Sequence, residues 1–173
     1  MPGSAVRFSP IEDALAELKA GRMIVLVDDE QRENEGDVVM AAEAATPAAV
    51  NFMVRQACGR LCVSFAPPHA ARLGLDLLPG VHLDPAATPF THNFDARDGV
   101  TTGISAADRC RTIRVCADPA SGPNDLVRDK GHVDGLIARD GGVLVRAGHT
   151  EGSVDLCRLA GLREVAVICE VLN

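Results

Sequence analysis

Met23-Ile24-Val25-Leu26-Val27 runs directly into Asp28-Asp29-Glu30-Gln31-Arg32-Glu33-Asn34-Glu35-Gly36-Asp37, and Val38-Val39-Met40-Ala41-Ala42 follows at once. The first apolar run suits a short buried strand, and the second reads as the strand that returns. The ten residues between them hold six carboxylates. A strand that delivers the chain into a polar loop is a usual seat for catalytic groups. Like charges this close repel and raise one another's pKa unless a cation or a base neutralises them, which suits a divalent metal and a general base in one place. A solvated acidic loop has the same composition.

Upstream, Ser9 and Pro10 read as a cap and first-turn pair, with Ile11, Ala14, Leu15 and Leu18 at helical spacing and Gly21 as the stop. Downstream, Thr46 and Pro47 open a helix to about Ala57, Leu61–Phe65 reads as a strand and Pro68–Leu73 as a short helix. Leu75–Thr88 is expected to be a loop, and Phe90–Phe94 resumes strand-like alternation. Ser105 with Asp108 is a capping-box variant that opens a helix to about Ala117. Asp118–Gly131 has no periodicity and is long enough to be a mobile lid. Val133–Ala138 and Gly142–Val145 read as a hairpin, Glu151–Ala160 as a helix closed by Gly161, and Val165–Leu172 as a last apolar strand. There is no regular βαβ rhythm and no GxGxxG fingerprint. The expected class is therefore α/β (α+β), one domain over residues 1–173 with a mixed sheet flanked by helices, not a Rossmann domain.

With 24 acids against 17 bases and only 3% aromatic residues, the chain lacks the basic face and the stacking platforms of a nucleic-acid binder. No run approaches the roughly eighteen apolar residues of a membrane span. Met1–Pro10 lacks the layout of a signal peptide, so a cytoplasmic location is expected. The six cysteines show no CxxC pair and are read as reduced, mostly buried thiols.

Three further places could carry chemistry. Arg146-Ala147-Gly148-His149-Thr150 lies before a helix; with Thr150 as its N-cap, the following N–H groups and the Arg146 guanidinium make a small phosphate site beside His149. A capped helix with an incidental surface imidazole reads the same way. Glu170 stands in an apolar strand, on the face of Ala166, Ile168 and Leu172, and either emerges at the sheet's end or serves a site. Gly131-His132 follows the expected lid, and the glycine- and hydroxyl-rich Gly99–Ser105 could cradle polar groups or simply turn.

Together, these segments resemble the 3,4-dihydroxy-2-butanone 4-phosphate synthase family from about Ile11 onward. The motifs are Asp28–Asp37 as quoted above, Gly99-Val100-Thr101-Thr102-Gly103-Ile104-Ser105-Ala106-Ala107-Asp108-Arg109, Arg146-Ala147-Gly148-His149-Thr150-Glu151 and Ile168-Cys169-Glu170. The resemblance implies conversion of D-ribulose 5-phosphate to L-3,4-dihydroxy-2-butanone 4-phosphate and formate in riboflavin biosynthesis, by a homodimer with active sites at the subunit interface. It implies Glu33 and His149 as ligands of Mg²⁺ or Mn²⁺, and His132 with Glu170 as the acid–base pair. Arg32, Glu33, Asp37, Arg146, Ala147, Gly148, His149, Thr150 and Glu170 would contact substrate, and Glu35 and Asp37 would serve as base or orienter. Cys62 matches a cysteine near the family's site but reads better as a buried strand residue.

Asp129-Lys130 stands where the family usually has Arg-Pro before Gly131-His132, and Asp134 replaces a usual apolar aromatic residue. Lys130 can restore a charge but not the bidentate geometry of a guanidinium. A paralogue acting on another phosphorylated sugar, or a sugar-phosphate binding module without turnover, therefore stands beside the main reading.

Overall fold

The computed structural model describes residues 8–81 and 87–172, so part of the Leu75–Thr88 loop and the first seven residues lie outside the described residues. Helix α1 (Ile11–Lys19) leads to β1 (Ile24–Val27), the acidic loop and β2 (Gly36–Ala41). Next come α2 (Pro47–Phe52), extended by a single π turn over Met53–Ala57, then β3 (Cys58–Phe65) and α3 (Pro67–Arg72). The chain continues through β4 (Phe94–Ala96), α4 (Ala106–Ala117), β5 (Leu126–Arg128), β6 (Asp134–Ile137), α5 (His149–Leu159) and β7 (Val165–Val171).

The main sheet has the order β1-β2-β7-β3-β6, antiparallel except for the parallel β3–β6 pair, and β4 and β5 form a separate two-stranded ribbon. This is the mixed sheet flanked by helices that the sequence implies. Period-two alternation sorts the side chains. Val38, Met40, Leu61, Val63, Val165, Val167 and Cys169 pack against α2 and α4 through Val50, Met53, Cys110 and Ile113. Val39, Ala41, Cys62, Ala166 and Ile168 meet Cys157 of α5 on the other face, where Leu18 of α1 packs on Leu156 and Ala160.

The differences from the sequence reading have local causes. Pro10, not Ser9, occupies the N-cap of α1 and no side chain caps it. Thr46 and Ser105 do cap α2 and α4, each accepting an N–H three residues on. Asp108 does not close a reciprocal capping box, because its carboxylate accepts from Thr101 Oγ1 and Gly103 N instead. Asp118–Gly131 is not a free lid: Leu126–Arg128 pairs with Phe94–Ala96, and the Arg72 and Arg97 guanidinium groups clasp the Ser121 and Asn124 carbonyls. Val133–Val145 is not a hairpin, because Asp134–Ile137 aligns parallel to β3 and Gly142–Leu144 is a 3₁₀ turn. The strand expected over Phe90–Phe94 begins only at Phe94, as β4, with Phe90 and Thr91 contributing isolated bridges. Helix α5 starts at His149 with Gly148 at its N-cap, so Thr150 lies inside the first turn.

Candidate active site

The acidic loop is built around Asp28. Its carboxylate accepts the Glu35 N–H at 2.9 Å, the Glu33 N–H at 3.2 Å and Arg32 Nη1 at 2.6 Å, and Asn34 takes φ +53 to let the loop turn. Burial alone would raise this carboxyl, but these hydrogen bonds, with His149 nearby, outweigh it and hold the pKa below its ordinary value. The hairpin that the six carboxylates strain is thus fastened by its own first acid, and Glu33 and Glu35 are left facing a cleft.

That cleft is lined by Arg32, Glu33, Glu35, Asp37, Arg146, His149, Thr150 and Glu170, and walled by Arg60, Cys62, Thr88, Phe90, Leu136 and Ile168. Asp37 is opposite Glu170 in the β2–β7 ladder, and both belong to the sheet face that carries Val39 and Ile168 towards α5. Asp37 is 2% exposed. Desolvation, opposed by His149 and reinforced by Glu170, Glu35 and Glu33, raises its pKa to about 6. Its Oδ1 has no hydrogen-bond partner, and His149 Nδ1 stands 3.9 Å from it. Glu170 is the emerging end of the last strand: its Oε2 accepts the Arg60 N–H at 2.8 Å.

A ring nitrogen of His149 and carboxylate oxygens of Asp28 and Glu33 lie within 4.8 Å of one another. His149 Nε2 is buried without a hydrogen-bond partner, which leaves it free as a ligand atom. Two carboxylates and one imidazole fit a hard divalent cation, Mg²⁺ by the oxygens, with the imidazole admitting Mn²⁺. Asp28 was legible only as one acid among six; its part in the turn needed the three-dimensional loop.

Arg146 is held by Glu151, which is fully buried and also accepts the Arg139 N–H; the Arg146 Nη1–Glu151 Oε2 distance is 2.7 Å. Beside it α5 begins with no side-chain cap, so its first N–H groups remain open to an anion. Ala147 and Gly148 do not line the cleft itself but the adjoining hollow between Leu26, Val143 and Gly152.

Two residues stand apart from the expected set. His132 is not among the residues that line the cleft; it is bonded to Asp95 near the β4–β5 ribbon. Arg60, which the sequence did not single out, joins the wall: it pairs with Asp134 at 2.9 Å and lies 4.7 Å over the Phe90 ring. Cys62 does reach the cleft, but burial, then the Asp134 and Glu170 carboxylates, push its thiol upward, so it stays neutral and unsuited to nucleophilic attack. No described helix is long and apolar enough to cross a membrane.

A family model described as 3,4-dihydroxy-2-butanone 4-phosphate synthase matches residues 12–173. The riboflavin biosynthesis protein RibBA of Salinispora arenicola (strain CNS-205) is 54% identical over 166 residues, covering 96% of this chain and 39% of that protein. The 3,4-dihydroxy-2-butanone 4-phosphate synthase of Pseudomonas syringae pv. tomato is 48% identical over 166 residues, covering 96% of this chain and 45% of that protein. The chain thus spans less than half the length of these relatives. Among solved structures, a 3,4-dihydroxy-2-butanone 4-phosphate synthase in complex with two magnesium ions superposes with a TM-score of 0.90 at 43% identity, over 95% of this chain and 76% of that one. The synthase of Candida albicans superposes with a TM-score of 0.85 at 43% identity, over 96% of this chain and 81% of that one. With the family model matching residues 12–173 and the fold superposing on solved members at 43% identity, the chain belongs to the 3,4-dihydroxy-2-butanone 4-phosphate synthase family.

Proposed function

We propose that this chain, as one domain, converts D-ribulose 5-phosphate to L-3,4-dihydroxy-2-butanone 4-phosphate and formate. The observation that carries the reading is the unpartnered His149 Nε2 beside Glu33 and Asp28, in the same cleft as the Asp37–Glu170 carboxylate pair. The two products together have the composition of the substrate, so the reaction needs enolisation, a shift of the carbon skeleton and hydrolytic loss of one carbon, with no co-substrate beyond water that is taken up and given back.

Glu33 and His149 would hold the divalent cation, with the Asp28 carboxylate in the same cluster. When bound, that cation supplies a fixed positive charge where the oxygens of a hydroxyketone become negative on enolisation. Asp37, buried beside His149 and across from Glu170, takes and returns a proton, with Glu35 at the same wall as a second base or an orienter. Glu170, fixed by the Arg60 N–H, serves as one half of an acid–base pair. Arg146, steadied by Glu151, and the uncapped start of α5 anchor the phosphate away from the reacting carbons, while Arg32 and Thr150 bound the space between.

A homodimer with active sites between subunits is part of this reading. His132 lies outside the cleft, and a second copy of the chain would supply it as the partner of Glu170. The test is formate release from ribulose 5-phosphate by purified protein with Mg²⁺. Formate is expected in equal amount to the substrate lost; none above a metal-free control overturns the reading.

One observation favours a second reading, a paralogue that prefers another phosphorylated sugar. Asp134, an acid where the family has an aromatic residue, binds Arg60 at the cleft wall. A kcat/KM more than about tenfold higher for another pentulose or pentose phosphate would establish it.

A further inference from the structure

His132 and Asp95 are joined by two hydrogen bonds. The His132 backbone N–H donates to Asp95 Oδ1 at 3.0 Å, and His132 Nδ1 lies 2.7 Å from Asp95 Oδ2. Asp95 is the middle residue of β4, 7% exposed and anchored by pairing with Val127. An ionised carboxylate can only accept, so the ring contact calls for the imidazole proton on Nδ1. The neutral ring then keeps the Nε2 lone pair free.

The contact itself is also covered on its Nδ1 side, while the His132 ring stays about a third exposed. Gly103 turns at φ +92 directly above it, where an added Cβ would sit 2.1 Å from Asp95 Oδ2 and 2.6 Å from His132 Nδ1. Only glycine permits this approach. The turn is tied down by Asp108, whose Oδ2 accepts Thr101 Oγ1 at 2.7 Å and the Gly103 N–H at 3.1 Å, while Ser105 caps the helix that carries Asp108. The Gly99–Ser105 segment, whose hydroxyls and glycines read equally as a substrate cradle or a turn, thus closes over one side-chain pair through Gly103.

We propose that Asp95 is the positioning residue of His132: it fixes the ring by a two-point contact, holds its proton on Nδ1 and so presents Nε2 as the nitrogen that exchanges protons. The Gly103 turn shields that contact from water, so the Asp95 carboxylate keeps the ring in one orientation and one tautomer. This rests on the reading of His132 as an acid–base group.

The test has two independent arms. In ¹⁵N-histidine-labelled wild-type protein above about pH 8, where free imidazole is neutral, His132 is expected as the Nδ1–H tautomer; an Nε2–H tautomer or a mixture overturns the proposal without recourse to any variant. In the activity arm, Asp95→Asn is expected to lower kcat for formate release about 100-fold or more, with KM for ribulose 5-phosphate changed less than about threefold, in keeping with loss of a tautomer-fixing carboxylate. In a His132→Asn background the same change is expected to cost nothing further. Unchanged kcat in Asp95→Asn, or a loss that adds fully to that of His132→Asn, overturns the proposal. A wild type that releases no formate refutes the assigned activity instead, and the nitrogen spectrum still decides the role of Asp95.

Discussion

Asp37 and His149 meet in a space that neither can satisfy alone: Asp37 Oδ1 and His149 Nε2 are both buried without a hydrogen-bond partner. Buried polar atoms rarely stay unpaired, and a cation between His149 and the acidic loop would engage the nitrogen. His149→Ala is therefore expected to weaken Mn²⁺ or Mg²⁺ binding by about 100-fold in calorimetry with the fold retained; unchanged affinity would remove His149 from the metal site. Asp37 also gives a pH signature in the metal-free protein. Its folded pKa of about 6 lies above the ordinary 3.8, so the folded state binds the proton more tightly than the unfolded chain. Its contribution is most favourable below about pH 4 and is lost as pH rises through about 6. Asp37→Asn removes that slope, and the stability gained over wild type should grow by about 2 kcal/mol between pH 4 and 7. Denaturant midpoints at the two pH values measure this; a constant difference would mean that Asp37 is not buried as a charge.

The element that aims Glu170 is the irregular start of β3. Cys58 pairs with Val171 and Leu61 with Cys169, so β3 carries one extra residue there, a bulge with Cys58 at φ +67. The bulge turns the Arg60 N–H out of the ladder and onto the Glu170 carboxylate. Gly59 passes so close that a Cβ would lie 2.3 Å from the Glu170 carbonyl oxygen. Gly59→Ala is expected to cost about 2–4 kcal/mol and to lower kcat while leaving metal affinity near wild type. Denaturation and calorimetry together check this, and a neutral substitution would show that the bulge is not what holds Glu170. Such a bulge has no signature in Cys58-Gly59-Arg60, because it is defined only against its partner strand. Helix α5 is a similar case. Thr150 and Glu151 look like a cap and a first-turn acid, yet burial of Glu151 against Arg146 draws the helix start back to His149.

On the scale of the whole molecule, the sheet separates two jobs. One face packs α2 and α4 and carries no cleft residue, while the α5 face continues from Val39, Cys62 and Ile168 into Asp37 and Glu170 at one end of the strands. The His132–Asp95 pair belongs to the β4–β5 ribbon, outside that cleft. If a second copy completes the site, inactive His132→Ala and Glu170→Gln chains should rescue each other when unfolded and refolded together. Random pairing places one intact site in roughly half of the dimers, so about a quarter of wild-type activity is expected; no recovery above either variant alone would mean that both residues act within one chain.

Much of this protein was settled by sequence alone. The apolar runs around Asp28–Asp37 and the glycines and prolines that punctuate them pointed to the mixed α/β architecture, because periodicity and dense like charge are local properties of a chain, and the ordered motifs that carry the family resemblance singled out Glu33, Asp37, His149 and Glu170 as candidates. Tertiary structure decided which of them meet. The Asp37–Glu170 pairing, the meeting of Asp28 with His149, the Arg60 contact and the His132–Asp95 pair come from strand register and from contacts between residues 37 to 133 positions apart, and no local pattern encodes those.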